Sequence, residues 1–492
     1  MARLSKTRLM SFLQCPKRLW LEAYRPALAV TSPATEAAFA AGHAVGAAAR
    51  EIYGGGEGVL IDTGRDLGKA LLLTREVMLA GSPAPVFEAT FDAGGVLIRA
   101  DVLMPMEGEY RLVEVKASTR LKDEHVYDCA IQHWVMSNAG VPLGGVALAH
   151  VDNAFVYRGD GAYGGLLVEQ DLGSEIAGLT GEVSDWVRQA TKTLAGAEPA
   201  VAVGAQCDKP YACPFKQHCW AGDTLYPVTA LGGNKTRIAA LVNDGFRDIR
   251  DVPASRLTGA IQRRIRKATC SGLAQLDPDA VSFARALAYP RYYLDFETIA
   301  PAVPVWAGTR PYEALPVQYS CHIEPAPGQL LHDEFLDLTG EPPMRRLAES
   351  LLTTLRETGP VLTYSGYERR VISGLAVRFP DLAEPLERLV SRLVDLLPVA
   401  KRHYYHPAML GSWSIKAVLP TVAPDMQYAG LDGIKDGAAA SEAYLRAIAP
   451  DTVVREREEL ERQLRTYCRF DTEAMVRLLR FFESGGDNTS VG

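Results

Sequence analysis

Residues 95–118, GVLIRADVLMPMEGEYRLVEVKAS, read as two strands joined by a glycine-containing turn. In the second run, YRLVEVKAS (110–118), side chains alternate faces, so Leu112, Glu114 and Lys116 point one way and Val113 and Val115 the other. A carboxylate and an ammonium group together on an inward face are costly unless paired or used. Asp101 ends the first run, where hairpin pairing brings it near Glu114. An Asp and a Glu able to hold a divalent cation, beside a Lys able to polarise water or a phosphate, make a plausible phosphodiesterase core. VFEATFD (86–92) reads as a third strand and carries Glu88 as an accessory carboxylate. A helix is expected from about Lys122 to Asn138, with His125, Asp128 and Gln132 on one face, and GGVALAHV (144–151) is expected as a further strand.

Working outward, 492 residues exceed one hydrophobic core, so two or three domains are expected. With 48% hydrophobic and 23% charged residues, the composition is that of an ordinary globular chain. No apolar run is long enough to span a bilayer, and the N-terminal stretch is basic throughout rather than secretory in pattern. The expected location is the cytoplasm, where the eight cysteines stay reduced. A net charge of −7 argues against coating of nucleic acid by bulk attraction, so any such contact must be a local basic patch or a metal site. Cys207, Cys213 and Cys219 form a C-x5-C-x5-C group typical of metal or redox chemistry.

The strand RYYLDFETIA (291–300) places Asp295 and Glu297 on the same side, a repulsive arrangement that a cation between them relieves. Far downstream, TYCRFDTEAMVRLL (466–479) is helical, with Tyr467 and Asp471 as i, i+4 neighbours. Between the two chemical regions, IAALVNDGFRDIRDVP and RLTGAIQRRIRK read as a small helical segment. Arg256, Arg263, Arg264, Arg266 and Lys267 could grip phosphates there, and a solvated helical linker is the plainer reading.

The order Asp101, Glu114-x-Lys116, Gln132 resembles the PD-(D/E)xK nuclease core in its RecB-like form, although Met136 stands where that family has an aromatic residue. The resemblance implies catalytic roles for these four residues and assigns His43, in AAGHAVGAAARE, as an upstream metal ligand. It further implies a [4Fe–4S] cluster held by Cys15, Cys207, Cys213 and Cys219, closing the fold like a clasp; zinc on the same thiolates stays open. The later motifs resemble a DEDD exonuclease of the Y-x3-D kind on an RNase H-like fold. That likeness implies that Asp295, Glu297, Glu368 and Asp471 bind Mg²⁺ or Mn²⁺ and that Tyr467 orients the attacking water. In VLTYSGYERRVI, Ser365 stands where Asn is common and Glu368 where Asp is usual; Asp395 is the alternative middle carboxylate. GTRPYEALPVQYSCH, YYHPAMLGSWSIKAVLP and YCRFDTEAM resemble a bacterial family that joins both domains, and Arg310 and Lys416 become candidate phosphate contacts.

The expectation is thus an α/β multidomain chain: a restriction-endonuclease-like (PD-(D/E)xK) domain over 1–223, a helical, helix-hairpin-helix-like linker over 224–288, an RNase H-like domain over 289–483 and a disordered tail over 484–492. The expected function is a metal-dependent DNA nuclease acting on single strands or DNA ends, in repair or defence, with RNA as an open alternative. Two rivals stay open: only one domain cuts and the other binds, or the chain is a non-enzymatic Fe–S DNA-binding scaffold.

Overall fold

In the computed structural model, which describes residues 4–221 and 224–486, the chain falls into two mixed α/β units. The first comprises the chain up to Cys219 together with Pro301–Tyr312, and the second comprises Trp220–Ala300 and the chain from Glu313 onward. The segment 224–288 belongs to the second unit. Of the expected tail, residues 487–492 lie outside the described residues. Among the described residues, no helix is long and apolar enough to cross a membrane.

The first unit opens with β1 (Leu4–Ser5) and α1 (Lys6–Gln14), whose start is capped by Ser5 Oγ, which accepts from Arg8 N at 3.3 Å. Pro16 then begins α2 (Pro16–Tyr24). A residue before proline is driven to extended backbone, whereas proline itself suits a helix's first turn. Cys15 (φ −166°, ψ 118°) is therefore fixed at the break between two helices. There follow α3 (Pro33–Gly54), β2 (Val59–Leu60), α4 (Leu67–Ala80), β3 (Val86–Ala93), β4 (Val96–Pro105), β5 (Tyr110–Lys116), α5 (Asp123–Asn138), β6 (Leu143–Val151), β7 (Leu167–Asp171), α6 (Gly173–Ala177), α7 (Thr180–Ala195) and α8 (Lys216–Trp220). Strands β3 to β5 fill the three runs read as strands, and α5 fills the expected helix.

The seven-stranded sheet runs β2-β3-β4-β5-β6-β7, with β1 added in parallel beside β4. At the β3–β4 turn Gly94 (φ 60°) is required, because a Cβ there would lie 2.2 Å from the Trp134 ring. Strands β4 and β5 pair only between Val102–Val113 and Pro105–Tyr110 and then part. Beside the first half of β4 lies β1 instead (Leu4–Val96, Ser5–Leu97). Helix α5 covers β3 and β6 and shares a core with Leu9, Ile98, Leu103, Leu112, Val146 and Leu148, into which Met136 is fully buried.

The second unit contains α9 (Lys235–Asn243), α10 (Ala260–Ser271), β8 (Gln275–Leu276), α11 (Pro278–Ala286), β9 (Arg291–Ile299), β10 (Leu315–Glu324), β11 (Leu331–Leu336), α12 (Met344–Thr354), β12 (Val361–Thr363), α13 (Tyr367–Arg378), α14 (Ala383–Ser391), β13 (Leu393–Asp395), α15 (Leu396–His403), β14 (Tyr404–Tyr405), α16 (Ile415–Val422), α17 (Gly437–Ile448) and α18 (Val454–Glu483). Its main sheet has the order β11-β10-β9-β12-β13. The β11-β10-β9 side is antiparallel, and β9-β12-β13 is parallel. Helix α18 packs across β9 and β10, tied by Gln318 Nε2 donating to Leu464 O at 3.0 Å and by a Ser320–Thr472 hydroxyl pair at 2.9 Å. Arg291 is buried at the foot of β9, where it bonds Glu483 Oε1 at 2.7 Å and Leu287 O at 2.8 Å. Such a charge is tolerable because its donors are met.

Candidate metal centres

Where β4 and β5 part, Asp101 fills the gap and its Oδ2 accepts the Val115 N–H at 2.8 Å. Glu114 Oε1 meets two ammonium groups, Lys6 Nζ at 2.9 Å and Lys116 Nζ at 2.6 Å. The same two lysines reach Asp128 at 3.0 and 2.7 Å. Gln132 Nε2 donates to Glu114 Oε2 at 2.7 Å and to Asp128 Oδ1 at 3.1 Å, which leaves Gln132 Oε1 buried without a partner among the described residues. Three carboxylates thus face two lysines.

Burial pushes Asp101 up to about 7, with Glu114 adding to it and the lysines and the Val115 N–H opposing. Burial would raise Glu114 as well, but Lys116 and then Lys6 hold it well below the usual carboxylate range. Burial opposes the charge of both lysines, yet Asp128 and Glu114 raise them above their ordinary value. His125, depressed to about 4 by burial and then by Lys116, is a neutral imidazole whose Nδ1 has no partner among the described residues.

Sequence reasoning missed Lys6. A two-residue strand carries no periodic signal, and only the pairing of β1 with β4 delivers Lys6 to Glu114. Asp128 was visible on the helical face but without a role. His43 is exposed on α3, outside this network. Glu88 lies across from Asp101 in the β3–β4 register with a left-handed backbone (φ 60°), and its carboxylate faces Arg99 at 3.7 Å.

In the second unit, β9 aligns Asp295 opposite Ser320 and Glu297 opposite Gln318, on the face that α18 covers. From α18, Tyr467, Cys468 and Asp471 turn inward and are buried. Asp295, Glu297 and Cys468 present ligand atoms within 4.8 Å of one another. At an effective dielectric of ~20, two unit charges at that separation repel by about 3.5 kcal/mol. Glu368, buried in the first turn of α13, accepts from Ser365 Oγ at 3.2 Å. Asp395 caps α15 by accepting Leu397 N at 2.9 Å, which gives it a structural task beside Glu368.

Burial, then Asp471, Glu297 and Glu368 in turn, push Asp295 well above the carboxylate range; burial and Asp471 do the same to Glu297. Burial lifts Glu368 to about 7, with Asp395 adding to it and Ser365 opposing. Asp471 rises to about 6 as burial outweighs its bonds to Tyr428 and Tyr467 and the charge of Lys416. Tyr428 OH donates to Asp471 Oδ1. Burial first, and then Asp471, raise both tyrosines far above an ordinary phenol, so both are hydrogen-bond donors. Lys416 Nζ lies 5.2 Å from the Tyr428 ring centroid and 5.3 Å from that of Tyr467. Tyr428 escaped sequence reasoning because it sits in a short 3-10 turn (Tyr428–Gly430) far from Asp471 in the chain. Cys468, buried on α18, has its Sγ 4.0 Å from Asp295 Oδ2.

Cys15, Cys207, Cys213 and Cys219 all lie in the first unit and are free thiols. Gln14 ties their two chain regions together, its Nε2 donating to Gln206 O at 2.6 Å and to Tyr211 O at 2.7 Å. Cys213 N donates to Cys207 O at 2.9 Å. Burial raises Cys213, and lifts Cys219 to about 11, with the neighbouring thiols adding to both. Arg18 opposes at Cys213 and Lys17 at Cys219. The four thiols lie within one another's field, with Arg18 and Lys17 beside them, but no three of their sulfurs lie within 4.8 Å of one another among the described residues. Elsewhere, Arg310 is exposed in the 301–312 stretch of the first unit, and Arg256 is neutralised by Asp244 at 2.6 Å.

Residues 292–414 match a family described as Domain of unknown function (DUF2779), and no curated protein and no solved structure matches the chain. The matched stretch holds Asp295, Glu297 and Glu368 and stops short of Lys416, Tyr428, Tyr467 and Asp471.

Proposed function

We propose that the protein is a metal-dependent nuclease whose principal active site is the buried carboxylate set of the second unit. The observation that carries this reading is the convergence of Asp295, Glu297, Glu368 and Asp471 with no Arg or Lys ion-paired to any of them among the described residues. Repulsion of several kcal/mol is left for a bound cation to cancel. The strand order β11-β10-β9-β12-β13, with the DxE strand at its centre, supports an RNase H-like, DEDD-type exonuclease.

These four carboxylates would hold Mg²⁺ or Mn²⁺, which when bound supplies Lewis acidity and a more acidic water. Tyr467 keeps its proton, which it donates in a hydrogen bond to Asp471 as folded and would turn to a water or phosphate oxygen once a cation takes up the Asp471 carboxylate. Tyr428 fixes Asp471, and Lys416 adds positive charge beside the two rings. In the first unit, Asp101, Glu114, Lys116 and Gln132 form the core of a RecB-like site, with the orphaned Gln132 Oε1 as a further oxygen for a cation. Cys15, Cys207, Cys213 and Cys219 would hold a [4Fe–4S] cluster or zinc. The substrate is DNA, as single strands or ends, with RNA the alternative, and reduced thiols fit the cytoplasm.

A second reading has its own support. Lys6 and Lys116 already satisfy Glu114 and Asp128, which favours a first unit that binds nucleic acid without cutting it. End-labelled single-stranded DNA with Mg²⁺ or Mn²⁺ separates the two, using wild type, Lys116→Ala, Asp295→Asn and the double variant. Loss of all cleavage with Asp295→Asn alone leaves one active site, and separate product patterns lost with each change mean two. Full activity in the double variant would refute both assignments.

A further inference from the structure

Helix α10 lines an open groove of about 510 Å³ with Arg263, Arg266 and Lys267, together with Leu257, Cys270 and Ser271. Its flanks, Arg263 and Lys267, are exposed and lie i, i+4 on one helical face. Arg263 Nη1 donates to Thr258 O at 3.2 Å, and Arg266 Nε donates to Val252 O at 2.6 Å. These carbonyls hold the guanidinium groups in place without cancelling their charge. No ion pair joins Arg263, Arg264, Arg266 or Lys267 to a carboxylate among the described residues, and α10 itself contains no acidic residue. Nearby cations of the same segment are matched instead, Arg256 by Asp244 at 2.6 Å and Arg250 by Asp248 at 2.9 Å. An unmatched, preset row of cations along a groove is complementary to a polyanion with regularly spaced charges.

We propose that the α10 groove binds the phosphodiester backbone of a nucleic-acid strand, independently of base sequence. Cations four residues apart on a helix have Cβ atoms about 5–6 Å apart, close to the step between neighbouring phosphates on one strand. Binding here needs no divalent cation and none of the buried carboxylates. It therefore stands or falls separately from cleavage.

The test is fluorescence anisotropy of a labelled oligo(dT) of about 20 nucleotides with the full chain in EDTA, titrated from about 50 to 200 mM salt. The comparison sets Arg263→Glu/Lys267→Glu against a control of equal charge change, Arg388→Glu/Arg455→Glu, both exposed sites elsewhere in the second unit. The groove variant should bind at least about tenfold more weakly, and the slope of log K against log salt should shrink by about 1.4, at roughly 0.7 per lost phosphate contact on a single strand. The control should stay within about twofold. If the groove variant melts lower than wild type, Arg263→Gln/Lys267→Gln takes its place with the same expected direction. Unchanged affinity and slope, or an equal loss in the control, would overturn the proposal. So would inorganic tripolyphosphate displacing the strand as well as unlabelled oligo(dT) does at equal phosphate, since the groove would then be a site for free polyphosphate.

Discussion

The two acidic centres solve one electrostatic problem in opposite ways. In the first unit, buried Glu114 and Asp128 are each held by Lys6 and Lys116 at 2.6–3.0 Å, so the fold carries its own counter-charge. In the second, burial and mutual repulsion drive Asp295 and Glu297 well above the carboxylate range, and tyrosines rather than lysines donate to Asp471. Clusters with the same kind of residue therefore differ in what they demand from solution. One is close to neutral as folded, and the other has no lysine or arginine ion-paired to its carboxylates among the described residues.

Each way of breaking that contrast has an expected size. The largest expected effect concerns the metal cluster proposed for the first unit. Cys15→Ser should remove the absorbance near ~400 nm expected of an iron–sulfur chromophore and destabilise that unit by about 4 kcal/mol, through the loss of closure over a very long loop. Denaturant unfolding followed by hydrogen exchange in β5 checks this, and exchange in β9 should not change.

Next, Mn²⁺ at about 100 times its dissociation constant should stabilise the second unit by ~2.7 kcal/mol. In a unit of this size that is a rise of about 5–10 °C in melting temperature. Asp295→Asn/Glu297→Gln should abolish the shift and raise the metal-free melting temperature, because like charges have been removed. A comparable Mn²⁺ effect on β5 would erase the contrast.

Lys6→Met sharpens it from the other side. Losing one of two ammonium groups leaves Glu114 and Asp128 under-compensated, at a cost of about 3 kcal/mol in the first unit. Mn²⁺ should then begin to protect β5 from exchange, as it is expected to protect β9 in the wild type. Protection that stays absent would mean that Lys6 is not the group that takes the cation's place.

The smallest effect involves protons. His322, on β10, bonds Thr472 Oγ1 through Nδ1 at 2.8 Å and lies against His332 at 4.7 Å between ring centroids. Burial, then His332, Arg469 and Arg480 depress it to about 3. With the folded value below the ordinary value of 6.5, the unfolded chain takes up the proton first as pH falls. The stability is complete above 6.5 and is lost progressively toward 3. At pH 5 that amounts to ~2 kcal/mol, so His322→Gln should lose less stability than wild type between pH 7 and pH 5 in parallel melts.

Much of this was legible in the sequence because periodicity reports faces. Alternation in YRLVEVKAS put Glu114 and Lys116 together, the DxE spacing put Asp295 and Glu297 on one side, and i, i+4 spacing joined Tyr467 to Asp471. What escaped depends on tertiary placement. Lys6 arrives through a two-residue parallel strand, and Tyr428 through a turn, so neither leaves a local pattern. His43 shows the converse, since a helical His has no sequence signal that separates an exposed face from an inward one. Arg256 looked like a member of a basic cluster, yet its charge is spent on Asp244.

The most direct test of the central claim counts bound Mn²⁺ by electron paramagnetic resonance in wild type, Lys116→Ala and Asp295→Asn/Glu297→Gln. The account expects Mn²⁺ to bind the wild type, to bind Lys116→Ala at least as well, since losing an ammonium group opens the first unit to a cation, and to be lost from the β9 double variant. Equal Mn²⁺ binding in the β9 variant would contradict it, since the buried carboxylates of the second unit would then not be the site that needs a cation.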